Sequence, residues 1–237
     1  LVVLQSAARS VFPAGLREVS GREREDGDGF PAFTGGAFVR SIRGGSTKTY
    51  PMNALLSLWL PILLSAVVVF VISSLIHMVF KWHASDYGAF ANEDAVRDAI
   101  RAGNPAPGRY VMPYCTEMKD MAGEAMMKKY REGPVGHVTI LPNGAHNMGK
   151  YLGQWFLWSL VIATVAAYLA ARVYGLDHGH ARAAAKLVGA VSFIAHGFGT
   201  ITESIWMGRP WSSTAKFLLD AALYGLGSGL VFYWLWP

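Results

Sequence analysis

Charge is scarce in this chain and cysteine is almost missing. Only 16% of the 237 residues are charged, while 52% are hydrophobic. That balance excludes an average soluble domain. Cys115 is the single cysteine, so no disulfide can form within the chain and the redox compartment is not readable. The net charge is +5, yet no Lys/Arg tract is interleaved with aromatics, which excludes a nucleic-acid face as a partner surface. No serine sits in a nucleophile-elbow context and Cys115 has no obvious base, which argues against a hydrolytic triad. Gly225, Gly227 and Gly229 lie inside an apolar run with no strand before them, so they are not a nucleotide loop.

What is present divides at Met52. Residues 1–51 hold eight Gly, seven Lys/Arg and five Asp/Glu, with no sustained apolar period. GREREDGDG within them is a flexible, charged composition. Nothing there has the apolar core of a secretory signal. Met52 opens directly onto a hydrophobic run, so it is the expected natural start. Residues 1–51 are then a disordered tail or an upstream extension.

Four stretches are long and apolar enough to cross a bilayer, which takes about 20 residues as a helix. They are Leu55–Phe80, Tyr151–Ala171, Leu187–Met207 and Phe217–Trp236. The first carries Pro61 near its start, where a helix tolerates it. Trp59, Trp82, Trp155, Trp158, Trp206, Trp211, Trp234 and Trp236 lie at or near span ends, as an interfacial aromatic belt does. Ala221, Gly225 and Gly229 on the fourth span, and Ala163, Ala167 and Ala171 on the second, recur every four residues and predict close helix crossings. Basic residues orient the chain only slightly. Lys81, Lys150, Arg209 and Lys216 on the insert's side outnumber Arg172, Arg182 and Lys186, favouring a cytoplasmic insert. The basic residues of the first 51 positions argue the reverse.

Residues 84–149 read as a small α+β insert. Asn92 caps a first helix that Gly103 stops. Arg109–Met112 is a short strand. Thr116 opens a second helix to about Glu132, and His137–Leu141 alternates as a second strand. Two strands and two helices in about sixty residues bury too little to stand alone, so the insert is expected to lean on the spans. Cys115, Met118, Met121, Met126 and Met127 form a soft-ligand cluster of a kind that holds Cu(I). Met118, Met121 and Ala125 share one helix face, which favours core packing instead.

Chain direction narrows the candidate site. His77 ends the first span, Gln154 starts the second, Glu203 nears the end of the third and Asp220 starts the fourth. All four therefore fall on the insert's side of the membrane at similar depth, with His83 and Asp86 just outside. Ser192, His196, Thr200 and Glu203 share one helix face, and His196 lies about 10 Å deeper than Glu203 by helical rise. Ionisable groups in a membrane usually face a bundle interior and mark pathways or sites. The candidate ligand or proton pocket is His77, Gln154, His196, Thr200, Glu203 and Asp220. His77, His196, Glu203 and Asp220 are the candidate metal ligands, for a divalent metal as the cofactor. Haem would need His77 and His196 on facing helices, and their different depths count against it. The plainer reading sets Lys216 against Asp220, Arg209 against Glu203 and Ser73 against His77 as local pairs.

The run SSLIHMVFKWHASDY, with NEDAVRDAIRAGNPAPGRYVMPYC and GPVGHVTI after it, resembles multi-span bacterial inner-membrane proteins of unknown activity. The likeness covers Met52–Pro237 and implies the inner membrane as the location, with no functional residues to carry over. The sequence thus predicts a four-helix transmembrane bundle, with a first transmembrane helix over residues 52–83, an extramembrane α+β insert over 84–149, and three more spans over 150–237. Its expected activity is non-enzymatic, with a polar pocket under the insert that handles a proton, an ion or a small ligand. The alternatives are a metal-dependent membrane enzyme and a subunit that binds partner helices. The expected partners are the lipid bilayer and either a second copy or partner membrane helices.

Overall fold

A computed structural model describes residues 53–237 of the chain; the segment expected to be a tail lies outside the described residues. The described chain is mostly helical, with one two-stranded sheet. Four helical stretches are long and apolar enough to cross a membrane: Trp59–Phe80, Met148–Tyr174, His178–Met207 and Trp211–Leu235.

The first stretch does not begin as one helix from Leu55. Helix α1 (Asn53–Ser57) stops before Leu58, and α2 (Trp59–Ser74) starts after it. Leu58 makes a tight turn, its N–H donating to the Leu55 carbonyl at 3.1 Å. Pro61 then falls in the first turn of α2, where its missing N–H costs nothing. At its far end α2 loosens into a π-helical segment, Leu75–Phe80. Lys81 closes that segment, donating to Ile76 at 2.9 Å, and takes a left-handed backbone with φ 54°. The chain reverses there, and a short 3-10 helix, Trp82–Asp86, follows. Wide turns of this kind are rare and recur at functional sites.

The insert follows, with α3 (Glu93–Ala102), β1 (Gly108–Met112), α4 (Glu124–Glu132) and β2 (Gly136–Ile140). The strands pair antiparallel, Tyr110 opposite Val138. The second insert helix is shorter than expected. Met118–Asp120 forms one separate turn and the helix begins only at Glu124, after Gly123. The expected face through Met118, Met121 and Ala125 therefore does not form; Met118 is 70% exposed and Met126 alone of these methionines is buried.

The remaining helices are α5 (Met148–Tyr174), α6 (Ala181–Gly197), α7 (Gly199–Met207) and α8 (Trp211–Leu235). Phe198 marks a kink that divides the third stretch into α6 and α7. A Cβ on Gly197 would stand 2.9 Å from the Ala221 Cβ, so this glycine is where α6 comes closest to α8 at that level. The Thr200 hydroxyl donates back to the Gly197 carbonyl at 2.7 Å, a substitute bond typical of a kink.

α2 packs on α5 and α8, and α6 packs on the same two helices. The α6–α8 crossing uses the small residues. A Cβ on Gly225 would lie 2.7 Å from the Gly189 carbonyl oxygen, and one on Gly189 would lie 2.9 Å from that of Gly225. Only glycine permits backbones this close. The Ala163, Ala167 and Ala171 stripe lies in a dry core with Ala166, Ala184, Val188, Leu58 and Phe232. Large apolar side chains point outward instead: Leu157, Val161, Val165 and Tyr168 are exposed along α5 while Ser159, Ala163 and Ala170 are buried. Small inside and large apolar outside inverts the pattern of a helix in water and fits one in lipid.

Candidate functional site

The alanine core occupies one end of the helices. At the other end, where α2 finishes and α8 begins, the structure opens into a cavity of about 650 Å³. Its lining comes from α2 and its π-helical end, from α5, from both halves of the kinked third stretch and from α8. His77, His196, Thr200, Glu203 and Asp220 all line it, with Arg209 and aromatic walls from Trp155, Phe217 and Tyr224. Gln154 does not. It is exposed on α5, while its neighbour Trp155 lines the cavity. One residue turns a helix by about 100°, which is enough to separate the two. No residue of β1, β2, α3 or α4 lines the cavity.

His196 sits among rings, with Tyr224 at 5.2 Å and Trp155 at 5.5 Å between centroids. Its Nδ1 donates to the Ser192 carbonyl at 2.8 Å, because a carbonyl can only accept. That leaves Nε2 as a bare acceptor, buried and without a partner among the described residues; the Trp155 indole N–H is in the same state. Glu203 pairs with Arg209 at 3.1 Å, made possible by Gly208, whose φ of 72° ends α7 and turns the chain back. The Arg209 guanidinium also lies 4.5 Å from the centre of the Phe217 ring.

Beside the cavity lies a denser polar cluster. The His83 ring is held between two carboxylates, Nδ1 at 2.7 Å from Asp86 Oδ2 and Nε2 at 2.7 Å from Asp220 Oδ2. Asp220 is 2% exposed and His83 7%. The Trp82 indole N–H donates to the other Asp220 oxygen at 3.1 Å. Lys216 donates to Asp86 Oδ1 at 2.6 Å and to the Trp82 carbonyl and Ser85 Oγ, each at 2.8 Å. Ser213 adds a bond to Asp86 at 3.1 Å. Ser213, Lys216 and Asp220 fall on one side of α8 by their spacing, so the Trp82–Asp86 turn is fastened along the first turns of that helix.

Two carboxylates face Lys216 and an imidazole. The Lys216 hydrogen bond holds the Asp86 carboxyl down at about 2, from an ordinary 3.8. Burial opposes this, and the bonds from His83 and Ser213 reinforce it. Asp86 is thus an ionised, acceptor-only group, and His83 Nδ1 must carry the proton between them.

His83 was the residue sequence reasoning left outside the site. Its signal is the i, i+3 pair His83 and Asp86 directly after a span, but the fold-back at Lys81 that delivers it is not written in hydropathy. Lys216 pairs with Asp86, not with Asp220 on its own helix, whereas the expected Glu203–Arg209 pair is present. His77 stacks on His83, centroids 5.0 Å apart and planes 10° from parallel. Among the described residues, the ionisable groups near enough to share an ion are His77, His83 and Asp220, whose nearest ligand atoms lie within 4.8 Å of one another. His196 and Glu203, expected as ligands beside His77 and Asp220, are not in that group.

No protein-family model, curated protein or solved structure matches this chain. The functional reading therefore rests on the site.

Proposed function

We propose that this chain is an integral membrane protein of the bacterial inner membrane that binds a small amphipathic ligand in the cavity between its helices. The spans form a four-helix transmembrane bundle, with the α+β insert outside the bilayer between the first two. Lipid is the partner of the large apolar side chains on the outer faces. The inverted exposure of α5 supports this placement.

The observation that carries the ligand reading is the meeting of His77, His196, Thr200, Glu203 and Asp220, from three separate stretches, around one cavity of about 650 Å³. That volume falls within the range of small-molecule sites, roughly 300–1,000 Å³, and such sites pair apolar walls with a few fixed polar groups. Here Trp155, Phe217 and Tyr224 supply the walls. His196 Nε2 and the Trp155 N–H, both without a partner among the described residues, supply polar contacts that a bound molecule satisfies. The role is binding, with no reaction assigned. The reading as a subunit for partner helices gains no support from the glycine stripe, which α6 and α8 use on each other.

Native mass spectrometry of the protein released from lipid nanodiscs tests this. The expected result is a non-phospholipid adduct on the wild type that disappears in Ala195→Phe, which projects a ring into the cavity. A wild type carrying phospholipid masses alone, unchanged by Ala195→Phe, contradicts it.

A further inference from the structure

We infer that His77, His83 and Asp220 form a binding site for a divalent transition-metal ion, zinc or one of similar ligand preference. Two imidazoles and one carboxylate are a donor set that suits zinc or ferrous iron, whereas calcium and magnesium take oxygen donors. The three residues come from the end of the first stretch, the folded-back turn and the fourth stretch, and their ligand atoms already lie within 4.8 Å of one another.

The supporting contacts argue for an ion more strongly than the distance does. A ligating imidazole normally donates its other N–H to a carbonyl or carboxylate, which fixes the tautomer and aims the lone pair. His77 Nδ1 donates to the Ser73 carbonyl at 2.9 Å, so its Nε2 carries a free lone pair. His83 Nδ1 donates to Asp86 at 2.7 Å, and Asp86 is itself anchored by Lys216. Asp220 holds Trp82 through Oδ1 at 3.1 Å, leaving Oδ2 for an ion. Each of the three ligands is thus oriented from behind.

His83 Nε2 and Asp220 Oδ2 are joined by a hydrogen bond of 2.7 Å. A tetrahedral ion with ligand distances of about 2.0–2.2 Å needs its ligand atoms roughly 3.3 Å apart, so on binding this pair opens and the wider spacing, up to 4.8 Å, closes. The ion replaces that hydrogen bond. His77 and Asp220 both line the cavity, so the remaining coordination position opens onto it. With the ion in place the cluster of Asp86, Asp220 and Lys216 carries net positive charge, and the group it attracts there is anionic, a carboxylate or phosphate headgroup of the bound molecule.

The ion site deepens the cavity reading and rests on it only for that open position. The test uses the full chain in detergent, stripped with a chelator, reloaded with zinc and desalted, with metal measured by mass spectrometry. Wild type is expected to retain stoichiometric zinc, and His77→Ala to bind it about tenfold or more weakly. His77 is exposed, and among the described residues its hydrogen bond is to a carbonyl of its own helix and its ring contact is to His83, so this variant is expected to keep the fold. Cobalt(II) is expected to give the intense visible bands of a tetrahedral site in wild type and not in His77→Ala. Wild type without zinc, or His77→Ala loading as wild type does, overturns the site. Zinc absent with the ligand adduct retained sinks the ion site alone; zinc present with no adduct sinks the cavity reading alone.

Discussion

His83 Nε2 and Asp220 Oδ2 stand 2.7 Å apart although 137 residues separate them in the chain. This contact ties the turn after the first long apolar stretch to the fourth, and the rest of the polar end is arranged around it.

Removing His83 leaves Asp86 and Asp220 buried without the group that bridges them. Losing one partner of a buried charge pair costs about 3–5 kcal/mol. His83→Ala is therefore expected to lower the melting temperature of the detergent-solubilised protein sharply. Adding Asp220→Asn to it should recover part of the loss, since one uncompensated charge is gone. Equal melting of His83→Ala and wild type would show that the bridge does not hold the turn.

Glu203→Gln should behave differently. Its carboxylate is 47% exposed and the Arg209 partner 26% exposed. Solvent screens such a pair, and its loss is expected to cost about 0–1 kcal/mol. A melting change as large as that of His83→Ala would mean that Glu203 is buried in the membrane-embedded protein.

The glycines of α8 give a third, internally controlled comparison. Gly225→Ala drives a methyl against the Gly189 backbone oxygen at 2.7 Å, where nothing flexible can yield. Overpacking of this kind costs about 1–3 kcal/mol. Gly227→Ala instead meets side-chain methyls, Ile72 Cδ1 and Val68 Cγ1, at 2.9 Å, which yield more readily than a backbone, and alanine favours the helix. Its net effect is expected to stay under about 1 kcal/mol. Thermal melting of both variants checks the pair. The α6–α8 crossing is wrong if Gly227→Ala proves the more damaging.

Hydropathy was enough to find the four apolar stretches, because about 20 uncharged residues in a row have few alternatives. Chain direction was enough to bring His77, His196, Thr200, Glu203 and Asp220 to one end. What hydropathy lacks is rotation. A helix apolar on every side does not say which residue points inward, so Gln154 and Trp155 could not be told apart. It also lacks local irregularity. The π-helical end at Leu75–Phe80 and the left-handed Lys81 send His83 back onto α8, and neither has a sequence signature as plain as proline. The insert misled for a related reason: the 118–121 spacing suits a helix, yet Gly123 delays its start to Glu124.

The claim beneath all of this is that a water-accessible polar cavity opens at one face of the membrane. The direct measurement is thiol labelling in sealed vesicles, on a Cys115→Ser background that leaves no other cysteine. Ala195→Cys lines the cavity and Val165→Cys faces outward from α5. A charged, membrane-impermeant thiol reagent should modify Ala195→Cys when applied from one side only and should leave Val165→Cys untouched from both. Ala195→Cys that resists the reagent from either side, or labels no faster than Val165→Cys, would contradict the cavity.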